Sequence, residues 1–223
     1  MQFFDTLCAR TAADRERLFA VPVIQDALRG DIVTAQYIAF LGQAYHHVRH
    51  TVPLLMACGS RLDNRHGWLR NAIAEYIEEE LGHEEWILSD IAACGGDAEQ
   101  VRASAPHPTT EMMVAYAYHQ VDRHNPVGFF GMVHVLEGTS TALATNAAAT
   151  IAGTLKLPPN AFTYLNSHGS LDLEHVEFFK GLMNRLDDAA DQDAVVHCAA
   201  MFYRLYGDIF RSLPRRADSL AGA

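Results

Sequence analysis

Lysine is almost missing from this chain: only Lys156 and Lys180 occur among 223 residues. Lys and Arg together number 17 against 27 Asp and Glu, a formal charge of −10, and no basic run exceeds the adjacent Arg215 and Arg216. A reader of nucleic-acid phosphates needs the opposite balance, so nucleic acid is excluded as a partner. Long apolar runs are lacking too, although 49% of the residues are hydrophobic, so no membrane-spanning segment is expected. Met1 to Phe4 carry no basic stretch leading into an apolar core, which leaves the cytoplasm as the expected location. The four cysteines, Cys8, Cys58, Cys94 and Cys198, lie far apart with no C-x-x-C pairing, against both a disulfide framework and a zinc knot.

Also scarce are alternating β-branched runs, while Ala, Leu, Met and Glu recur at helical spacing. The chain reads as all-α, a single domain over 1–214 followed by a frayed tail at 215–223. Helices are expected at about 2–18, 22–29, 33–58, 65–94, 109–124, 127–155, 160–184 and 192–212, a bundle of about seven to eight. Gly30-Asp31 and Gly95-Gly96-Asp97 mark stops. Pro126 and Pro158-Pro159 suit first turns, where a missing N–H costs nothing.

Three constellations bear on chemistry. In the 65–94 helix, Glu80 and His83 fall about 60° apart on the wheel, close enough to share a metal. With 12 Glu and 12 His in the chain, chance supplies roughly 0.6 such E-x-x-H matches, so on these residues alone an exposed i,i+3 pair is the favoured explanation. The 160–184 helix holds His168, Asp172 and His175 within one narrow stripe that also carries Tyr164, Phe179 and Leu182. Chance gives roughly 0.04 matches to H-x-x-x-D-x-x-H, and two imidazoles with a carboxylate on an apolar face suit iron, manganese or zinc. An Asp172 to His175 ion pair beside a core histidine is the plainer alternative. Glu137 is the lone carboxylate of the long, Ala-rich 127–155 helix. It needs a partner, and His134, one turn earlier, is one candidate.

Together these segments resemble the heme-oxygenase-like diiron oxidases and oxygenases, helical proteins sharing the fold of heme oxygenase, thiaminase II and pyrroloquinoline quinone synthase. Within that group the nearest likeness is to iron-dependent decarboxylases that convert medium-chain fatty acids into terminal alkenes. The likeness runs from about Ile24 to Leu182. Glu80-Leu81-Gly82-His83 with Trp86 matches the first segment, Leu136-Glu137-Gly138 the second, and His168, Asp172 and His175 the third. The resemblance implies metal ligation by Glu80, His83, Glu137, His168, Asp172 and His175, with Glu80, Glu137 and Asp172 as the catalytic carboxylates. It implies Fe(2+), two per chain, and an O₂-dependent oxidation of a small organic acid, fatty-acid-like or amino-acid-like. No histidine precedes His46, which argues against the axial ligand of heme oxygenase and so for no heme. No cysteine lies near Glu137, which argues against thiaminase II chemistry. A metal-free small-molecule binder or a thiaminase II- or pyrroloquinoline quinone synthase-like relative of the same fold, and a zinc-holding structural or regulatory protein, are the other readings.

Tyr45, His46 and His50 are expected at a substrate mouth or an interface, and Phe129 and Phe130 along an apolar substrate tunnel, with plain core packing as the alternative for the aromatics. The partners expected are a small carboxylate substrate, O₂ and a second copy of the chain, as in many relatives.

Overall fold

A computed structural model describes the backbone of residues 2–170 and 172–215, and their side chains except those of 168–175. The expected frayed tail lies outside the described residues from 216 onward. Every regular element among the described residues is helical: α1 (Phe3–Phe19), α2 (Pro22–Arg29), α3 (Thr34–Val48), α4 (Thr51–Arg61), α5 (Gly67–Glu80), α6 (His83–Ala93), α7 (Ala98–Ala103), α8 (Pro108–Arg123), α9 (Phe130–Leu155), α10 (Thr163–Ser170), α11 (Asp172–Asn184) and α12 (Ala189–Ser212). No described helix is long and apolar enough to cross a membrane.

Helix ends follow local chemistry where the sequence marks them. Pro22 and Pro108 open α2 and α8, and Asp97 and Asp188 cap α7 and α12 by accepting from Gln100 N and Ala190 N. Two expected helices are divided, and a third opens with a short turn. The 33–58 span breaks at Arg49 and His50, so Pro53 sits in the first turn of α4, where its absent donor breaks no helical bond. The 65–94 span breaks at Leu81 and Gly82. The 160–184 span opens with a short 3₁₀ turn at Pro159–Ala161, and its described residues beyond are helical over α10 and α11. Pro126 likewise opens a 3₁₀ turn, Pro126–Phe129, and α9 begins only at Phe130.

α9 runs through the bundle, with α10, α12 and α2 packed along it. Gly131 is what lets α12 come so close: a Cβ there would lie 2.5 Å from both Ala199 N and Val195 O. Two apolar clusters result. One gathers α1, α4, α5, α8, α11, α12 and the first half of α9, around Leu7, Leu54, Phe130 and Phe202. The other joins α3, α6, α10 and the second half of α9, around Tyr37, Leu41, Ile91 and Phe162. α1 closes the bundle against α11 and α12, with Phe4 N donating to Asn184 Oδ1 at the end of α11 (3.0 Å) and Arg10 reaching Asp193 of α12 (2.9 Å).

Candidate metal centre

Glu80 and His83 do meet, but not on one turn of helix. Glu80 is the last residue of α5 and His83 the first of α6. Between them Leu81 is extended, and Gly82 adopts φ +88°, a left-handed conformation that a Cβ disfavours. This break turns the α6 N-terminus back so that His83 Nδ1 comes within 3.1 Å of Glu80 Oε2. His83 is buried and its ring lies over Trp86, with centroids 4.0 Å apart.

Glu80 and Glu137 line one pocket of about 660 Å³, measured with its open mouth. Tyr76, Tyr164, His47 and Tyr206 complete its polar wall, and Leu55, Phe129, Met132 and Leu136 its apolar wall; neither Lys nor Arg lines it among the described residues. Burial pushes the Tyr76 phenol far up, and the Glu137 carboxylate beside it adds to the shift. The two groups adjoin without a hydrogen bond of ordinary geometry. Tyr164 is likewise pushed well up, first by burial and then by Tyr206 and Glu80. Both phenols therefore keep their protons in the physiological range.

The helix carrying Tyr164 is fixed from a distance. Asp90, fully buried on α6, accepts from Thr163 N (3.0 Å) and Tyr164 N (2.9 Å), satisfying the first amides of α10. It ties the helix of His83 to the helix of His168. An isolated Asp six residues before Gly96 carries no local sign of this role.

Other expected site residues are distributed differently. His46 pairs with Ser104 (3.0 Å), His50 with Tyr118 (3.1 Å), and Tyr45 lies under the Arg49 guanidinium; none of the three lines the pocket. The residue of that stretch that does is His47, buried and edge-on to Tyr206. Phe129 lines the pocket, whereas Phe130 is wholly buried in the first cluster. His134 is not the partner of Glu137. It stacks on Phe179, lies 3.5 Å from the Tyr203 hydroxyl on the α12 side, and is held by burial at a pKa of about 4. Helix backbone places His168 in α10 and Asp172 and His175 in α11, and their side chains lie outside the described residues. Among the described residues no three His, Cys, Asp or Glu form a complete metal site. What they supply is a carboxylate–imidazole pair and a second carboxylate across one cavity, a donor set whose chemistry fits iron.

Residues 38–207 match the model of a family described as iron-containing redox enzymes. Among solved structures, a domain of unknown function with a heme oxygenase-like fold from Shewanella denitrificans superposes with TM-score 0.85 at 25% identity, over 95% of this chain and 91% of that one. A TenA homologue from Pseudomonas syringae pv. tomato gives TM-score 0.77 at 12% identity over 94% and 91%. Heme oxygenase-1 from the cyanobacterium Synechocystis, in complex with heme, gives TM-score 0.78 at 11% identity over 100% and 96%. No curated protein matches the sequence. The expectation of two Fe(2+) with no heme is overturned here, because a protein of this same fold holds heme. A missing histidine before His46 bears on one axial ligand position only. The match over 38–207 spans most of the chain and fixes its membership: this protein belongs to the family of iron-containing redox enzymes.

Proposed function

We propose that this protein is an O₂-dependent oxidase or oxygenase of a small organic acid, working through iron held by its own side chains. The observation that carries this reading is that Glu80, bonded to the buried His83, and Glu137 line one pocket. Glu80, His83 and Glu137 would hold the metal together with His168, Asp172 and His175, whose places in α10 and α11 follow the H-x-x-x-D-x-x-H spacing. Bound iron would supply O₂ activation and accept electrons from the substrate.

The chain's own groups have separable tasks. Tyr76 and Tyr164, protonated beside carboxylates, hold protons at the Glu137 and Glu80 edges of the cavity. His47 offers a polar ring edge on the facing wall, suited to orienting the carboxylate of a substrate. Leu55, Phe129, Met132 and Leu136 keep the cavity poor in water, which strengthens each charge interaction inside it.

Anaerobic titration of iron-free protein with Fe(II), followed by desalting and metal analysis, tests the assignment. Wild type should retain iron, and His83→Ala should weaken retention at least about tenfold with unchanged helical circular dichroism. A parallel titration with hemin that yields a Soret band, with no Fe(II) retained by the wild type, would overturn ligation by these side chains.

A further inference from the structure

The end of α8 brings two imidazoles together at the surface. His119 Nε2 and His124 Nε2 stand 3.0 Å apart, with ring centroids separated by 4.8 Å and planes at 68°, and both side chains are exposed. Neither lines the candidate metal pocket. A continuous helix could not make this contact, because at 100° per residue positions five apart differ by about 140° around the axis. The contact arises where α8 stops. His124 leaves the helix in an extended conformation, φ −126° and ψ −161°, while its amide still donates to Gln120 O (3.2 Å), and its ring is turned back towards His119.

The backbone on either side is held independently of the two rings. The Tyr118 hydroxyl bonds His50 (3.1 Å), and the buried Gln120 side chain donates to Asn125 O (2.9 Å). Asn125 Nδ2 donates in turn to the buried carboxylate of Asp191 (2.6 Å), and Asp122 pairs with Arg61. Two ring nitrogens are thus presented to solvent by a frame that does not depend on their meeting.

As a hydrogen bond this contact contributes little, since an exposed ring exchanges such a bond for one to water. As a chelate the same geometry is apt. Imidazole nitrogens sit about 2.0–2.1 Å from a divalent transition metal, so two at right angles on one ion are roughly 3.0 Å apart, against roughly 3.4 Å for two tetrahedral positions. The observed 3.0 Å matches the right-angled arrangement of tetragonal ions, Cu(II) or Ni(II), and of these Cu(II) binds nitrogen donors more tightly. The preset frame lowers the ordering cost of binding.

We propose that His119 and His124 form a surface chelate for Cu(II), with water completing the coordination. The site shares no residue with the pocket of Glu80 and Glu137 and stands whether or not that pocket holds iron. An ion here joins the last turn of α8 to the segment that leads through Asn125 into the 3₁₀ turn before α9.

Proton NMR of the full-length protein, titrated with substoichiometric Cu(II), tests this. The ring C–H signals of His119 and His124 should broaden first and together, and the frozen-solution EPR spectrum should show coupling to two nitrogens. In competition with a chelator of known affinity, His119→Gln and His124→Gln should each weaken Cu(II) binding at least about tenfold, because either change leaves a single ring donor. Both positions are exposed, so the metal-free variants should keep the wild-type circular dichroism and unfolding midpoint. His83→Ala should leave Cu(II) at the pair unchanged. Broadening that begins at other histidines, or either Gln variant binding Cu(II) as tightly as wild type, overturns the proposal and leaves the contact a hydrogen bond alone.

Discussion

His134 and Glu137 stand three residues apart on α9, and their sequence spacing permits them to pair. The structure sends them to different neighbours, His134 to Tyr203 and Phe179, Glu137 to Tyr76. The choice is made by α12 on one side and α5 on the other, which no local pattern announces. His47 was hidden for a similar reason: of three histidines in five positions, only the bundle decides which one faces the cavity. Burial of His134 has a measurable consequence. Its folded pKa of about 4 lies below the unfolded value of about 6.5, so between these values the unfolded chain binds a proton that the folded chain refuses. Its contribution is complete above about pH 6.5 and is lost as pH falls towards 4. Urea unfolding at pH 7 and pH 5 should show wild type losing about 2 kcal/mol more than His134→Gln over that interval. Equal losses in the two proteins would show that His134 does not carry this dependence.

At the scale of elements, the composition and apolar spacing suffice for an all-helical chain, and α2 keeps its expected 22–29 span because Pro22 and Gly30 bracket it. The divided helices are instructive. Pro53 is a visible reason for the α3–α4 break, since a helix running through it would lose a backbone bond that a first turn never had. Gly82 is a weaker sign, because a single glycine inside a helical pattern is tolerated and its positive φ is known only from the fold. The E-x-x-H spacing therefore anticipated the meeting of Glu80 and His83 by a different geometry from the one observed. Nothing in the sequence links Asp90 to α10, because the bond spans more than seventy residues. Gly82→Ala should cost about 1–2 kcal/mol from the left-handed backbone alone, since no heavy atom stands within 4 Å of the added carbon. It should also weaken Fe(II) retention by displacing His83 from Glu80. Chemical denaturation and the iron titration read the two effects independently, and an unchanged denaturation midpoint would show that α5 and α6 re-form across position 82 without strain.

For the whole molecule, the two apolar clusters are bridged by α9, which gives Met132 and Val135 to one and Ala144, Ala148 and Ile151 to the other. A shared 26-residue helix couples their unfolding. Leu7→Ala in the first cluster and Leu41→Ala in the second should each cost about 2–5 kcal/mol and lower one common transition, followed by tryptophan fluorescence and by helical circular dichroism. Two separated transitions in either variant would mean that the clusters melt independently. The sequence made the anionic, helical character of the molecule plain, but the partition into two clusters depends on which faces meet across long separations. The seating of α1 against α12 spans one of the longest of these separations, with Arg10 paired with Asp193. A ribosome makes α1 well before the α11 and α12 that cover it, so Phe3 and Leu7 wait for that native surface until those later helices have emerged. At cellular elongation rates that wait is on the order of ten seconds or more, during which the first helix is a client for any chaperone stationed at the exit.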